Sequence, residues 1–147
     1  MDNFGASAPG HQLFEYFGIN STEIVDSGIP IIYPDLSDPQ VNNQTRFVDP
    51  ADPENFLKAT DDNTRAYFAE TLPNPKLEVF PIKEVSDIGR KLGIPLIVDN
   101  TAAPILCKPF ELGAAVIVYS STKYIGGHGT SIGGIIVDGG NFDWIKD

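Results

Sequence analysis

Lys123 stands in Ser120-Ser121-Thr122-Lys123-Tyr124-Ile125-Gly126-Gly127-His128-Gly129, directly after the apolar run Ala115-Val116-Ile117-Val118-Tyr119. Upstream, a second apolar run, Pro95-Leu96-Ile97-Val98, ends in Asp99-Asn100-Thr101. A lysine amine just past one strand and a carboxylate at the end of a nearby strand can grip opposite ends of a pyridoxal phosphate ring. The amine forms an imine with the aldehyde, and the carboxylate keeps the pyridine nitrogen protonated so that the ring acts as an electron sink. Ser120 and Thr122 add hydroxyls on either side of the lysine, and Gly126, Gly127 and Gly129 let the backbone approach an anion closely. Lysine, hydroxyls and glycines together make a coherent phosphate-and-imine site.

Each of these residues also has a plainer reading. A lysine after a strand is commonly a solvated loop residue. Asp99 can cap a turn through Thr101, although a carboxylate at the end of a buried strand needs a partner, and a pyridinium nitrogen would be one. Asn74, in Glu70-Thr71-Leu72-Pro73-Asn74-Pro75, is by itself a turn signal. With two histidines, His11 and His128, and no Cys/His cluster, a zinc site is not expected, and His128 reads as a structural hydrogen-bonding residue. Cys107, the single cysteine, lacks an activating neighbour and reads as a buried, inert thiol. Gly127-His128-Gly129-Thr130-Ser131-Ile132 fails the dinucleotide fingerprint at its third glycine, and the lysine precedes the glycines instead of following them as in a Walker loop.

The elements that must position these groups can be read from patterning. A chain of 147 residues with 41% apolar and 20% charged side chains is long enough for one real hydrophobic core. Residues 1–52 are rich in Pro, Gly, Asn and Asp and are expected to be irregular, with one or two short strands; residues 53–147 alternate cleanly. Pro53–Lys58 reads as a short helix capped by Asp52, and Arg65–Glu70 as a strand. Pro81–Leu92 reads as a helix with an apolar stripe of Ile82, Val85, Ile88 and Leu92 and a left-handed stop at Gly93. Strands Pro95–Asp99 and Ala115–Tyr119 follow, then the apolar run Ile135-Ile136-Val137. Strands that are apolar at nearly every position, alternating with an amphipathic helix, predict an α/β layered fold whose sheet is covered on both faces. Ligands in such sheets lie beyond the carboxyl ends of the strands, which puts Glu70–Asn74, Asp99 and Ser120–Lys123 on one rim.

The net charge of −10 argues against nucleic acid or an anionic membrane as partner. No run approaches the roughly 20 apolar residues of a membrane span, and Met1-Asp2-Asn3-Phe4 does not open a signal peptide. With one cysteine and no possible internal disulfide, a cytoplasmic location is expected. The glycosylation triplets at Asn20 and Asn43 then read as chance matches.

Asp99-Asn100-Thr101, Ser120-Ser121-Thr122-Lys123-Tyr124 and Gly126-Gly127-His128-Gly129-Thr130-Ser131-Ile132-Gly133-Gly134 resemble the Cys/Met-metabolism enzymes that use pyridoxal phosphate. Within that group, Ile135–Trp144, Asp99–Pro104 and Phe47–Pro50 through Asn74-Pro75 look most like O-acetylhomoserine sulfhydrylases. The resemblance implies an aspartate-aminotransferase-type large domain, a mostly parallel sheet with flanking helices, of which residues 53–147 form a part from the middle. It implies Lys123 as the imine-forming residue and Asp99 as partner of the pyridine nitrogen. Ser120 and Thr122 would bind the cofactor phosphate, and Asn74 would lie near the phenolic oxygen. It further implies a small amino-acid substrate and a homo-oligomer, dimer or tetramer. The reaction would be γ-replacement, in which acetate leaves O-acetylhomoserine and sulfide adds to give homocysteine. Cystathionine synthesis, γ-elimination and a non-catalytic remnant of the cofactor domain stay open as alternatives.

Overall fold

The computed structural model describes residues 29–33, 44–74 and 76–145. The rest of the segment 1–52, with His11 and the asparagines of both glycosylation triplets, lies outside the described residues. Six strands form one sheet in the order β2-β1-β3-β4-β5-β6. They are β1 (Ile29–Tyr33), β2 (Gln44–Val48), β3 (Ala66–Glu70), β4 (Leu96–Asp99), β5 (Val116–Ser120) and β6 (Gly134–Asp138). β3, β4 and β5 are parallel neighbours at the centre. β1 pairs antiparallel with both β2 and β3, and β6 pairs antiparallel with β5. β2 therefore runs in the same direction as the central trio, and only β1 and β6 oppose it.

Helix α1 (Glu54–Ala59) joins β2 to β3, and α2 (Ile82–Leu92) makes the crossover from β3 to β4. α1 starts one residue later than expected, with Pro53 at its cap position, and Asp52 Oδ1 accepts the Glu54 N–H at 3.0 Å just ahead of it. The stop of α2 is as expected. Gly93 takes a left-handed φ of 72°, and the Ile94 N–H returns to the Gly89 carbonyl at 2.8 Å, closing a Schellman turn.

The core lies between α1, α2 and one face of the sheet, where Phe56, Tyr67, Ala69, Phe80, Ile82, Val85, Leu96 and Val98 form a single buried cluster. Phe56 meets both Tyr67 and Phe80 edge-on, at ring-centroid distances of 5.3 and 5.9 Å. The helical stripe needs one correction. The buried face of α2 is Ile82, Val85, Ser86 and Gly89, with Ile88 partly buried, while Leu92 is 45% exposed. Gly89 is the reason for that rotation: a Cβ there would stand 2.5 Å from the Ile94 carbonyl and 3.2 Å from the Tyr67 ring, so the helix approaches β3 through its glycine. Ser86 is buried at no unmet cost, because its hydroxyl donates to the Gly113 carbonyl at 2.6 Å.

The expected coverage on both faces is not met: the described helices pack on one face, and β6 is open. This strand is the last in the sheet, and Ile135, Ile136 and Val137 are each more than a third exposed. An apolar run does not by itself distinguish a central strand from an edge strand. None of the described helices is long and apolar enough to cross a membrane.

Candidate active site

Alternation along the central strands decides which side chains can share a site. Tyr67, Ala69, Leu96 and Val98 point into the helical core, so Phe68, Glu70, Ile97 and Asp99 occupy the opposite face. Glu70 and Asp99 are direct partners across β3 and β4, and Asp99 stands opposite Val118 on β5. Ser120, two residues beyond Val118, therefore ends β5 on that same face. The carboxyl ends of the three parallel strands bring Glu70, Asp99 and Ser120 to one rim, with Lys123 three residues past the last of them.

Backbone and hydroxyl groups tie this rim together. The Thr71 N–H donates to the Asp99 carbonyl at 2.9 Å, and the Asn100 N–H to the Val118 carbonyl at 3.0 Å. Asp99 Oδ1 accepts the Thr101 N–H at 2.8 Å, so the turn-capping role is real. Thr101 Oγ1 in turn accepts the Ser120 N–H at 2.7 Å. One threonine thus connects the carboxylate to the strand end that leads to the lysine. Burial pushes the Asp99 carboxyl above the ordinary aspartate range, opposed by the Thr101 side-chain and backbone hydrogen bonds. Glu70 is also pushed up, first by burial and then by the negative charge of Asp99, against one hydrogen bond from the Asn74 N–H.

On the helical side of the same rim lies a fully buried polar node. Asn100 accepts the Thr71 hydroxyl at 2.8 Å and donates to the Cys107 carbonyl at 3.1 Å, so none of its polar atoms is stranded in the core. Sequence reasoning treated Asn100 and Thr71 only as neighbours of other residues. A polar residue immediately following an apolar strand, on the rim where ligands bind, was the available signal. Cys107 is half-buried next to this node, and burial pushes its thiol up, in keeping with an inert sulfur.

The segment after β5 turns back on itself. The Gly126 N–H donates to the Ser121 carbonyl and the Gly127 N–H to the Lys123 carbonyl, both at 2.8 Å. A Cβ at position 126 would stand 2.8 Å from the Ser121 oxygen, which only glycine avoids. These two N–H groups serve the turn itself, so anion contact falls to the hydroxyls and the remaining loop. Thr122 Oγ1 accepts the Gly133 N–H at 2.9 Å and also contacts the Gly133 carbonyl at 3.3 Å, pinning the loop to the start of β6. Lys123 and Asn74 are exposed at the rim, and Ser120 and Thr122 are half-buried. A cationic ring with a phosphate fits this set: a part-buried carboxylate without a lysine or arginine partner among the described residues, the Ser120 hydroxyl, the Thr122 hydroxyl shared with Gly133, and an exposed amine.

Comparison with known proteins gives the same direction. The family pattern for Cys/Met-metabolism PLP-dependent enzymes matches residues 35–147. An O-acetyl-L-homoserine sulfhydrylase from Leptospira meyeri is 53% identical over 107 residues, covering 72% of this chain and 24% of that protein. A homocysteine/cysteine synthase from Saccharomyces cerevisiae is 48% identical over 103 residues, covering 69% and 23%. A crystal structure described as an O-acetylhomoserine (thiol)-lyase from Campylobacter jejuni, carrying a pyridoxyl-lysine monophosphate, superposes with a TM-score of 0.61. It shares 40% identity over 63% of this chain and 23% of its own. The chain spans about a quarter of the length of the curated relatives it matches. On this evidence the chain belongs to the Cys/Met-metabolism family of pyridoxal-phosphate-dependent enzymes.

Proposed function

We propose that residues 53–147 are the cofactor-bearing part of an enzyme acting on O-acetylhomoserine. It replaces the γ-acetoxy group with sulfide to give homocysteine and acetate. The observation that carries this reading is the Asp99–Thr101–Ser120 connection, which joins a part-buried carboxylate to the strand end bearing Lys123. Pyridoxal phosphate, when bound, supplies the electron sink that makes negative charge at the substrate carbons tolerable. Lys123 Nζ would attach the cofactor covalently and, once released by the incoming amino acid, move protons at Cα and Cβ. Asp99, whose ionised form the Thr101 hydrogen bonds favour against burial, would hold the proton on the pyridine nitrogen. The hydroxyls of Ser120 and Thr122 would bind the phosphate, and Asn74 would sit near the phenolic oxygen. The name of the Leptospira meyeri relative, a sulfhydrylase, favours sulfide as nucleophile over cysteine or elimination. A cytoplasmic homo-oligomer is part of the same proposal.

A second reading, a non-catalytic remnant of the cofactor domain that serves as an assembly partner, is favoured by a specific observation. Ile105 and Leu106 sit side by side near the rim at 87% and 90% exposure.

The test is borohydride reduction after incubation with pyridoxal phosphate, followed by peptide mass mapping, with Lys123→Ala as control. Label concentrated on Lys123 and lost in the variant supports the assignment. Label spread over surface lysines and unchanged in the variant removes it.

A further inference from the structure

Glu70 has no part in the cofactor contacts assigned above, yet it ends β3 directly opposite Asp99, on the same face of the sheet. Neighbouring strands lie about 4.8 Å apart, so the two carboxyl groups face each other at close range. The Thr71 N–H to Asp99 carbonyl bond, at 2.9 Å, locks that register immediately after Glu70. The Glu70 carboxylate also receives the Asn74 backbone N–H. Glu70 therefore stands beside both segments assigned to opposite edges of the ring.

We propose that Glu70 is a positioning residue of this site, fixing the Asn74 turn and releasing its proton when a pyridinium cation settles against Asp99. This rests on the cofactor site proposed above. The asymmetry between the two acids favours Glu70 over Asp99 as the one that carries a proton. Asp99 has both hydrogen-bond donors of Thr101, which favour its ionised form, whereas Glu70 has the single Asn74 N–H. Burial and the Asp99 charge both favour the protonated form of Glu70 while no cation is present.

Among the described residues the groups facing Glu70 are Asp99 from β4 and the Asn74 N–H from the following turn. The next side chain in that register, Val118 of β5, is apolar. Among the described residues no lysine or arginine forms an ion pair with either acid. Arrival of a pyridinium supplies the missing positive charge. Glu70 then ionises, its O–H proton passes to solvent, and no other bond changes. A second carboxylate beside Asp99 would add to the hold on the ring proton.

The experiment uses the 147-residue chain and two readouts. Carboxyl-carbon NMR titration of the wild type and Asp99→Asn is expected to show Glu70 titrating above the ordinary glutamate range in the wild type and lower in the variant. A Glu70 midpoint unaffected by Asp99→Asn overturns the proposal. Calorimetric titration with pyridoxal phosphate at mildly acidic pH, in two buffers of different ionisation enthalpy, counts protons released. The wild type is expected to release more than Glu70→Gln, with Glu70→Asp restoring part of the difference. A wild type that labels at Lys123 but matches Glu70→Gln in proton release overturns this proposal alone. A wild type that binds no pyridoxal phosphate overturns the site assignment and this proposal together.

Discussion

Asp99 caps a turn and faces the rim with the same carboxyl group, so its two readings in the sequence were never exclusive. Thr101 makes that possible, and its loss has a defined consequence. Thr101→Val deletes the oxygen that accepts the Ser120 N–H and the hydroxyl set against Asp99. We expect urea unfolding to show a loss of about 1–3 kcal/mol, the usual result of leaving a part-buried donor unmet. NMR titration should show the Asp99 midpoint moving up. The pH dependence of stability has a clear sign. Both Glu70 and Asp99 are raised in the folded chain, so the native state binds more protons than the unfolded one between the ordinary carboxylate values and the raised ones. Their favourable contribution is present below the ordinary range and is lost as pH rises through the raised values. Glu70→Gln should flatten this decline as pH rises from the ordinary glutamate range, measured by urea unfolding across that rise. A variant with the wild-type slope would show that Glu70 does not take part.

Among the elements, α2 gives the sharpest contrast between space and backbone conformation. Gly93 has open space around its missing Cβ but a φ of 72°, so Gly93→Ala should cost about 1 kcal/mol, the left-handed penalty alone. Gly89 lies inside the helix, where alanine is intrinsically preferred, yet its Cβ would stand 2.5 Å from the Ile94 carbonyl. Gly89→Ala should therefore destabilise by about 1–3 kcal/mol through overpacking against β3. Equal unfolding midpoints for the two variants would contradict this account of how α2 docks. Gly93 was legible from its place after the last apolar residue and two basic ones. Gly89 was not, because its role depends on Tyr67, a residue distant in sequence. The same limit explains Leu92: periodicity assigns a face to a helix, while the closest point of approach decides which end of that face is covered.

At the scale of the whole molecule, one helical layer covers one face of the described sheet, and apolar side chains remain in the open. Ile105 and Leu106 are the clearest pair, with Val79 and Ile132 also largely exposed. Such a surface should bind a hydrophobic dye and promote self-association. Ile105→Ser with Leu106→Ser should reduce both, by fluorescence and sedimentation, while leaving the unfolding midpoint nearly unchanged. A double variant that associates like the wild type would place the sticky surface elsewhere. The rim itself was readable from the chain, because a parallel strand that ends in Asp99 or in Ser120 delivers that residue to the same edge of the sheet whatever surrounds it. Strand existence, the stop of α2 and the lysine turn followed from local rules: apolar runs, capping chemistry and glycine at tight turns. Strand order, the edge position of β6, the pairing of Glu70 with Asp99 and the Thr71–Asn100 node depended on contacts between residues far apart in sequence. Those contacts are set by register and by the depth to which one element packs on another, and no local pattern encodes either quantity.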